Sequence, residues 1–162
     1  MLASDFSKRT QSDEVKGYFS YYYNDNTGEI YLVVDKLDSD FLYVHSLATG
    51  IGSNDIGLDR GQIGGERILH FEKAGPKLLL IENNLHYRSS SDNDAEVQSI
   101  DEAFARSVLA AFPIIEEQEG NYLINLTPFL LRDEHGVSSV LANKKQGSYT
   151  LDTDRSALYM EM

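Results

Sequence analysis

The chain has no cysteine and no tryptophan among its 162 residues, and only 3 prolines. Without cysteine there is no disulfide framework, no thiolate nucleophile and no cysteine-based zinc site. Basic residues are scarce, with 14 Lys+Arg against 26 Asp+Glu and a formal net charge of −12. Nucleic acid and anionic lipid both select clustered cations, so neither is expected as a partner. Long apolar runs are also missing. The densest, Leu78 to Ile81, has the length of a strand, far short of the ~20 residues of a membrane span, and no membrane insertion is expected. Met1 to Phe6 carries neither a basic region nor an apolar one, so no signal peptide is read there. What is present suffices for a core: 41% of the residues are hydrophobic and 10% aromatic, in a chain of single-domain length.

Residues 1–16 are polar and read as a flexible, solvated lead-in; residues 17–162 read as a single domain. Tyr18 to Tyr23 is an aromatic strand, Asn24 to Gly28 a turn and Glu29 to Asp35 a second strand, which makes a hairpin. Phe41 to Ala48 is a third strand, with Phe41, Tyr43 and His45 on one face and Leu42 and Val44 on the other. A further hairpin joins Glu66–Ala74 to Lys77–Glu82 across Gly75-Pro76, and Leu85 to Arg88 extends it or begins another strand. Asn93 reads as an N-cap. Val97, Ile100, Ala103, Phe104, Val108 and Ala111 then recur at helical spacing, so an amphipathic helix is expected over 95–111, stopped by Pro113. Another hairpin turns at Glu119-Gly120. Short helices are expected between 128 and 143, a strand at Tyr149–Leu151, and a last segment from Arg155, capped by Asp152 to Asp154. The class is α+β, mainly antiparallel sheet built from hairpins.

Thr49 to Gly65 holds six of the 12 glycines. Loops of this length are uncommon in compact domains unless they have a task. It lacks a Gly-Lys-Ser/Thr sequence and the third glycine of a dinucleotide loop, so a phosphate cradle is not expected. Its polar set, Asn54, Asp55, Asp59, Arg60 and Gln62, is richer than a connector requires and marks a candidate substrate or interdomain loop. The four histidines, His45, His70, His86 and His135, fall on different elements, with no H-E-x-x-H. They read as half-buried polar residues, with assembly in space left open. Asp92-x-Asp94-x-Glu96 begins like a calcium loop, but Val97 and Ala103 stand where its glycine and last glutamate belong. Glu116-Glu117 and Asp133-Glu134 read as solvated charges near turns. No catalytic residue and no metal ligand is assigned.

The block from Phe41 to Gln62, with its SNDIGLDRGQ core, is long and non-repetitive. It resembles the domain of unknown function that precedes the catalytic domain in a family of large bacterial zinc-dependent metallopeptidases. The likeness continues at Arg88–Glu96, Phe104–Val108, Leu130–Val137, Gly147–Tyr149 and Arg155–Met160. The resemblance implies a periplasmic or extracellular parent enzyme whose zinc sits in an H-E-x-x-H domain that this chain lacks. The expected function is that of a non-catalytic accessory domain, an N-terminal fragment of a longer protein. It would dock on the catalytic domain of the same polypeptide, shape its cleft and meet peptide substrate. No cofactor is expected in this chain itself. The alternative is a self-standing peptide- or carbohydrate-binding module using the aromatic strand 18–23.

Overall fold

The computed structural model describes residues 5–47, 49, 57, 59–83, 93–103 and 106–159. Among the described residues, eight strands form one sheet: β1 (Glu14–Val15), β2 (Tyr21–Asn24), β3 (Glu29–Val34), β4 (Phe41–Tyr43), β5 (Arg67–Ala74), β6 (Lys77–Glu82), β7 (Ser107–Gln118) and β8 (Asn121–Asn125). Their spatial order is β1-β2-β3-β8-β7-β6-β5-β4, and every pairing is antiparallel. The chain thus builds inward from one edge through β3, crosses to the far edge at β4, and winds back until β8 meets β3. Among the described residues, four α-helices accompany the sheet: α1 (Ser7–Thr10), α2 (Asp94–Ala103), α3 (Thr127–Leu130) and α4 (Val137–Asn143). The fold is α+β and mostly sheet.

The crossover is short because the sheet curls and brings its ends together. Phe19, just before β2, meets Phe41 of β4 at 5.1 Å between ring centroids and Phe71 of β5 at 5.7 Å. On the β3–β4 connection, Asp38 N–H donates to Phe71 O at 2.9 Å. Alternate residues fill the interior of the curl: Val34 from β3, Leu69 and Phe71 from β5, Leu78 and Leu80 from β6, Phe112 from β7, Tyr122 and Ile124 from β8, and Phe129 from α3. Burying each such side chain contributes about 1.5–3 kcal/mol. The intervening residues Tyr22, Val33 and Leu123 point the other way, under Phe6. Residues 5–15 of the polar lead-in therefore carry structure: Phe6 is buried, its N–H donates to Tyr22 Oη at 3.2 Å, and Thr10 closes the α1 turn with a bond to Phe6 O.

Four expectations need correction. The helix expected over 95–111 ends at Ala103, and Ser107 to Ala111 belongs to β7. Val108 and Ala111 fit a helical spacing, but pairing with Ile81 and Leu79 of β6 takes this stretch into the sheet. Pro113 is not a helix stop. It sits where β7 stops pairing with β6 and, at Ile114, begins to pair with β8, a change of partner that tolerates its missing N–H. The third strand ends at Tyr43, with only a Ser46–Ile63 bridge beyond it. Tyr149 to Leu151 forms no strand; an exposed arm runs there, with a 3-10 turn at Thr153–Arg155 capped by the Asp152 side chain. The hairpins at Gly28, Gly75 and Gly120 stand as expected, each glycine with positive φ. Asn93 caps α2 by accepting from Ala95 N–H at 3.1 Å. Leu85 to Arg88 lies outside the described residues.

Candidate functional site

The glycine-rich loop closes at its root. Leu47 N–H donates to Gln62 O at 2.9 Å, Gly61 N–H to Leu47 O at 2.7 Å and Gly64 N–H to His45 O at 2.7 Å. These bonds continue the direction of β4 and β5 as an irregular antiparallel pair. Asp59 and Gln62 bracket a turn, with Asp59 N–H bonded to the Gln62 side chain at 3.2 Å and Gly61 at φ +77°. Asp59, Arg60 and Gln62 are therefore gathered on one exposed turn. Asn54 and Asp55, the other members of the expected set, lie outside the described residues.

Beneath this root is a polar pocket that connects the loop to the segment between α3 and α4. His45 and His135 meet edge to face at 4.6 Å, although 90 residues of sequence separate them. His45 Nδ1 lies 3.6 Å from Glu134 Oε1, with side-chain exposures of 16% and 17%. That distance is too long for a hydrogen bond, and the nitrogen is sealed from solvent with no partner. The other Glu134 oxygen forms an ion pair with Arg132 Nε, and the Arg132 guanidinium rests 3.8 Å over the Phe129 ring. Glu134 is thus a pocket residue, which corrects its reading as a solvated charge. A cavity of about 370 Å³ opens here, lined among others by Tyr43, His45, Arg132, Glu134, His135 and Leu151. Gly64 is fixed by close approach: a Cβ there would stand 1.9 Å from His45 Nε2.

The electrostatics suit polar recognition. Burial, and then the Glu134 charge, push the Tyr43 phenol up from its ordinary value, so it stays a proton donor at neutral pH. Burial alone would raise the Asp133 carboxyl, but the amides of Ser138 and Val137 outweigh it and hold it below the usual range. Those amides donate to its two oxygens at 2.8 Å each, which fixes the start of α4 and hence the position of His135. Arg132 offsets the Glu134 charge and disfavours a metal cation beside the two imidazoles. No sequence signal marked this pocket beyond the charged run Arg132 to His135, because its two histidine-bearing segments meet only through the curl of the sheet.

A second concavity, of about 890 Å³, lies at the β1–β2 edge, lined by Lys8, Gln11, Asp13, Tyr21, Tyr23 and Asn26 among others. Here the three-tyrosine run alternates: Tyr22 is buried under Phe6, and Tyr21 and Tyr23 line the groove.

Residues 61–162, more than half of the chain, match the family described as Domain of unknown function (DUF5117). The chain belongs to this family. No curated protein and no solved structure matches it. The DUF5117 match begins at the root of the glycine-rich loop and takes in Gln62, Gly64, Arg132, Glu134 and His135; Tyr43 and His45 precede it. Among the described residues, no helix is long and apolar enough to cross a membrane.

Proposed function

We propose that this DUF5117 domain is a non-catalytic accessory module. It docks on the catalytic domain of a zinc metallopeptidase in the same polypeptide, in the periplasm or outside the cell, and its loop root borders the substrate cleft. The supporting observation is the arm that follows α4. Every residue from 142 to 155 is exposed, yet the arm is held at the pocket rim by Leu151 and reaches β2, where Tyr23 Oη donates to Leu158 O at 3.4 Å. An arm that buries so little within its own domain gains its packing from a surface beyond it. Exposed Leu130 and Leu151 rim the pocket, and exposed Ile63 adjoins Gly64. The identity of the partner rests on the sequence resemblance.

In the parent polypeptide, Leu151→Asp places a charge in the contact and lowers kcat/KM for peptide cleavage by about tenfold, the scale of one interface anchor. Asp59→Ala lowers turnover with the melting curve unchanged. Peptide kinetics untouched by both variants would sink this reading. The groove beside Tyr21 and Tyr23 favours a second reading, a peptide- or glycan-binding module. Calorimetry with peptide and glycan panels decides it, and absence of saturable heat rules it out.

A further inference from the structure

On β5, Leu69 and Phe71 face the interior, so His70 and Glu72 face outward. His70 is nonetheless almost completely buried, with its side chain 7% exposed. Its Nδ1 is sealed from solvent and has no hydrogen-bond partner; the nearest carboxylate, Asp40 Oδ1, is 3.7 Å away, beyond bonding range. A buried imidazole nitrogen left unpaired costs free energy, and its neighbours show what would pair it. One ring nitrogen of His70 and one carboxylate oxygen each from Asp38 and Glu72 lie within 4.8 Å of one another. Asp38 is held on the β3–β4 connection at φ +52°, with its N–H bonded to Phe71 O at 2.9 Å. Asp40 completes the rim and accepts from Asn83 Nδ2 at 2.7 Å. Against these three carboxylates stands Arg106, 3.1 Å from Glu72 Oε2 and more than half exposed.

We propose that Asp38, His70 and Glu72 form a binding site for a divalent transition-metal ion of the zinc or manganese class. Mixed imidazole and carboxylate donors suit these ions, whereas magnesium and calcium select oxygen alone. Ligand atoms sharing one zinc at about 2.0–2.2 Å stand roughly 3–3.5 Å apart. The cluster therefore has to contract modestly from its 4.8 Å limit. Asp38 is exposed and Glu72 half-buried, so both can turn inward while the buried His70 stays fixed. On binding, Glu72 exchanges the exposed Arg106 for the ion. The ion would tie the β3–β4 connection to β5 at the place where the curled sheet brings its ends together.

The test is calorimetric titration of the metal-free full chain with zinc and, separately, manganese, with the histidine ring resonances followed by NMR. One equivalent is expected to bind, with His70 signals shifting and the melting temperature rising. Magnesium is expected to bind at least about tenfold more weakly, because imidazole is a poor ligand for it. Asp38→Asn and Glu72→Gln keep the shape of solvent-facing side chains, so they test the site without emptying the core. Each is expected to weaken binding by more than about tenfold, the loss already seen for outer-sphere partners. Absence of binding overturns the proposal. Binding that survives both substitutions, or that is abolished by His135→Asn, also overturns it.

Discussion

At the loop root, His45 Nδ1 lies 3.6 Å from Glu134; on the outer face of β5, His70 Nδ1 lies 3.7 Å from Asp40. Both nitrogens are sealed from solvent without a hydrogen bond. The surroundings differ. Glu134 is enclosed and shares its charge with Arg132, which is braced on Phe129. Asp40 is 58% exposed, and its neighbours Asp38 and Glu72 add two more carboxylates, opposed by a solvent-exposed arginine. Charge balance separates two similar histidine–carboxylate pairs. One is internally neutralised and bordered by apolar side chains, as a docking pocket requires. The other has excess negative charge around a fixed imidazole, as a cation site requires.

Steric confinement at the loop root gives the largest expected effect on stability. The His45 ring is bounded by Tyr43, His135 and Glu134, so it cannot swing clear of a new methyl group at position 64. Gly64→Ala is expected to cost about 1–3 kcal/mol, as overpacking does, or about 2–4 °C of melting temperature per kcal/mol. Gly65 faces open space, and Gly65→Ala is expected to stay within about 0.5 kcal/mol. Equal melting temperatures for the two variants would remove the packing on which the pocket depends.

Glu134→Gln comes next, at about 1–2 kcal/mol, because it deprives a half-buried guanidinium of its charged acceptor. Asp40→Asn, at the exposed member of the other pair, is expected to cost less than about 0.5 kcal/mol. Chemical denaturation of both variants measures the contrast, and equal losses would break it. Glu134→Gln also lowers the Tyr43 pKa, read by tyrosinate absorbance. The fall is partial, because burial is the larger cause of the rise and remains in place.

Local chemistry explains which parts of this architecture were legible. Gly28, Gly75-Pro76 and Glu119-Gly120 mark tight turns between apolar runs, and all three hairpins follow from them. The α4 helix, Val137 to Asn143, falls within the stretch 128–143 where short helices are expected. β7 was hidden because Val108 and Ala111 continue the helical spacing of the residues before them, and only pairing with β6 takes them into the sheet. The lead-in was hidden for a related reason: one apolar residue, Phe6, anchors an otherwise polar segment, and no periodicity signals a single contact. At the site, Asp59, Arg60 and Gln62 were legible as a polar cluster in an overlong loop. The pairing of His45 with His135 was not, since it depends on the curl of the sheet and on the turn that Asp133 holds before α4. Asp38, His70 and Glu72 were likewise invisible as a set, because one of them comes from the crossover.

Asp133 is expected to matter less than Gly64 or Glu134 and tests how the pocket is held. It lines the cavity next to Glu134, but its two carboxylate oxygens are taken up by the α4 amides. Asp133→Ala is expected to cost about 1 kcal/mol, the typical loss of a helix-capping side chain. The pH dependence follows from its lowered folded-state pKa. A carboxylate that is more acidic when folded contributes its stabilisation above the unfolded value, near pH 4, and loses it as pH falls through the folded value. Wild type and Asp133→Ala should therefore differ at neutral pH and converge in strong acid. Denaturation midpoints measured across that range check the sign. A difference that persists below both pKa values would mean that Asp133 acts through packing and not as a charged cap. His135 would then be positioned by something other than the start of α4, and the stability of the loop-root pocket would no longer be tied to that helix.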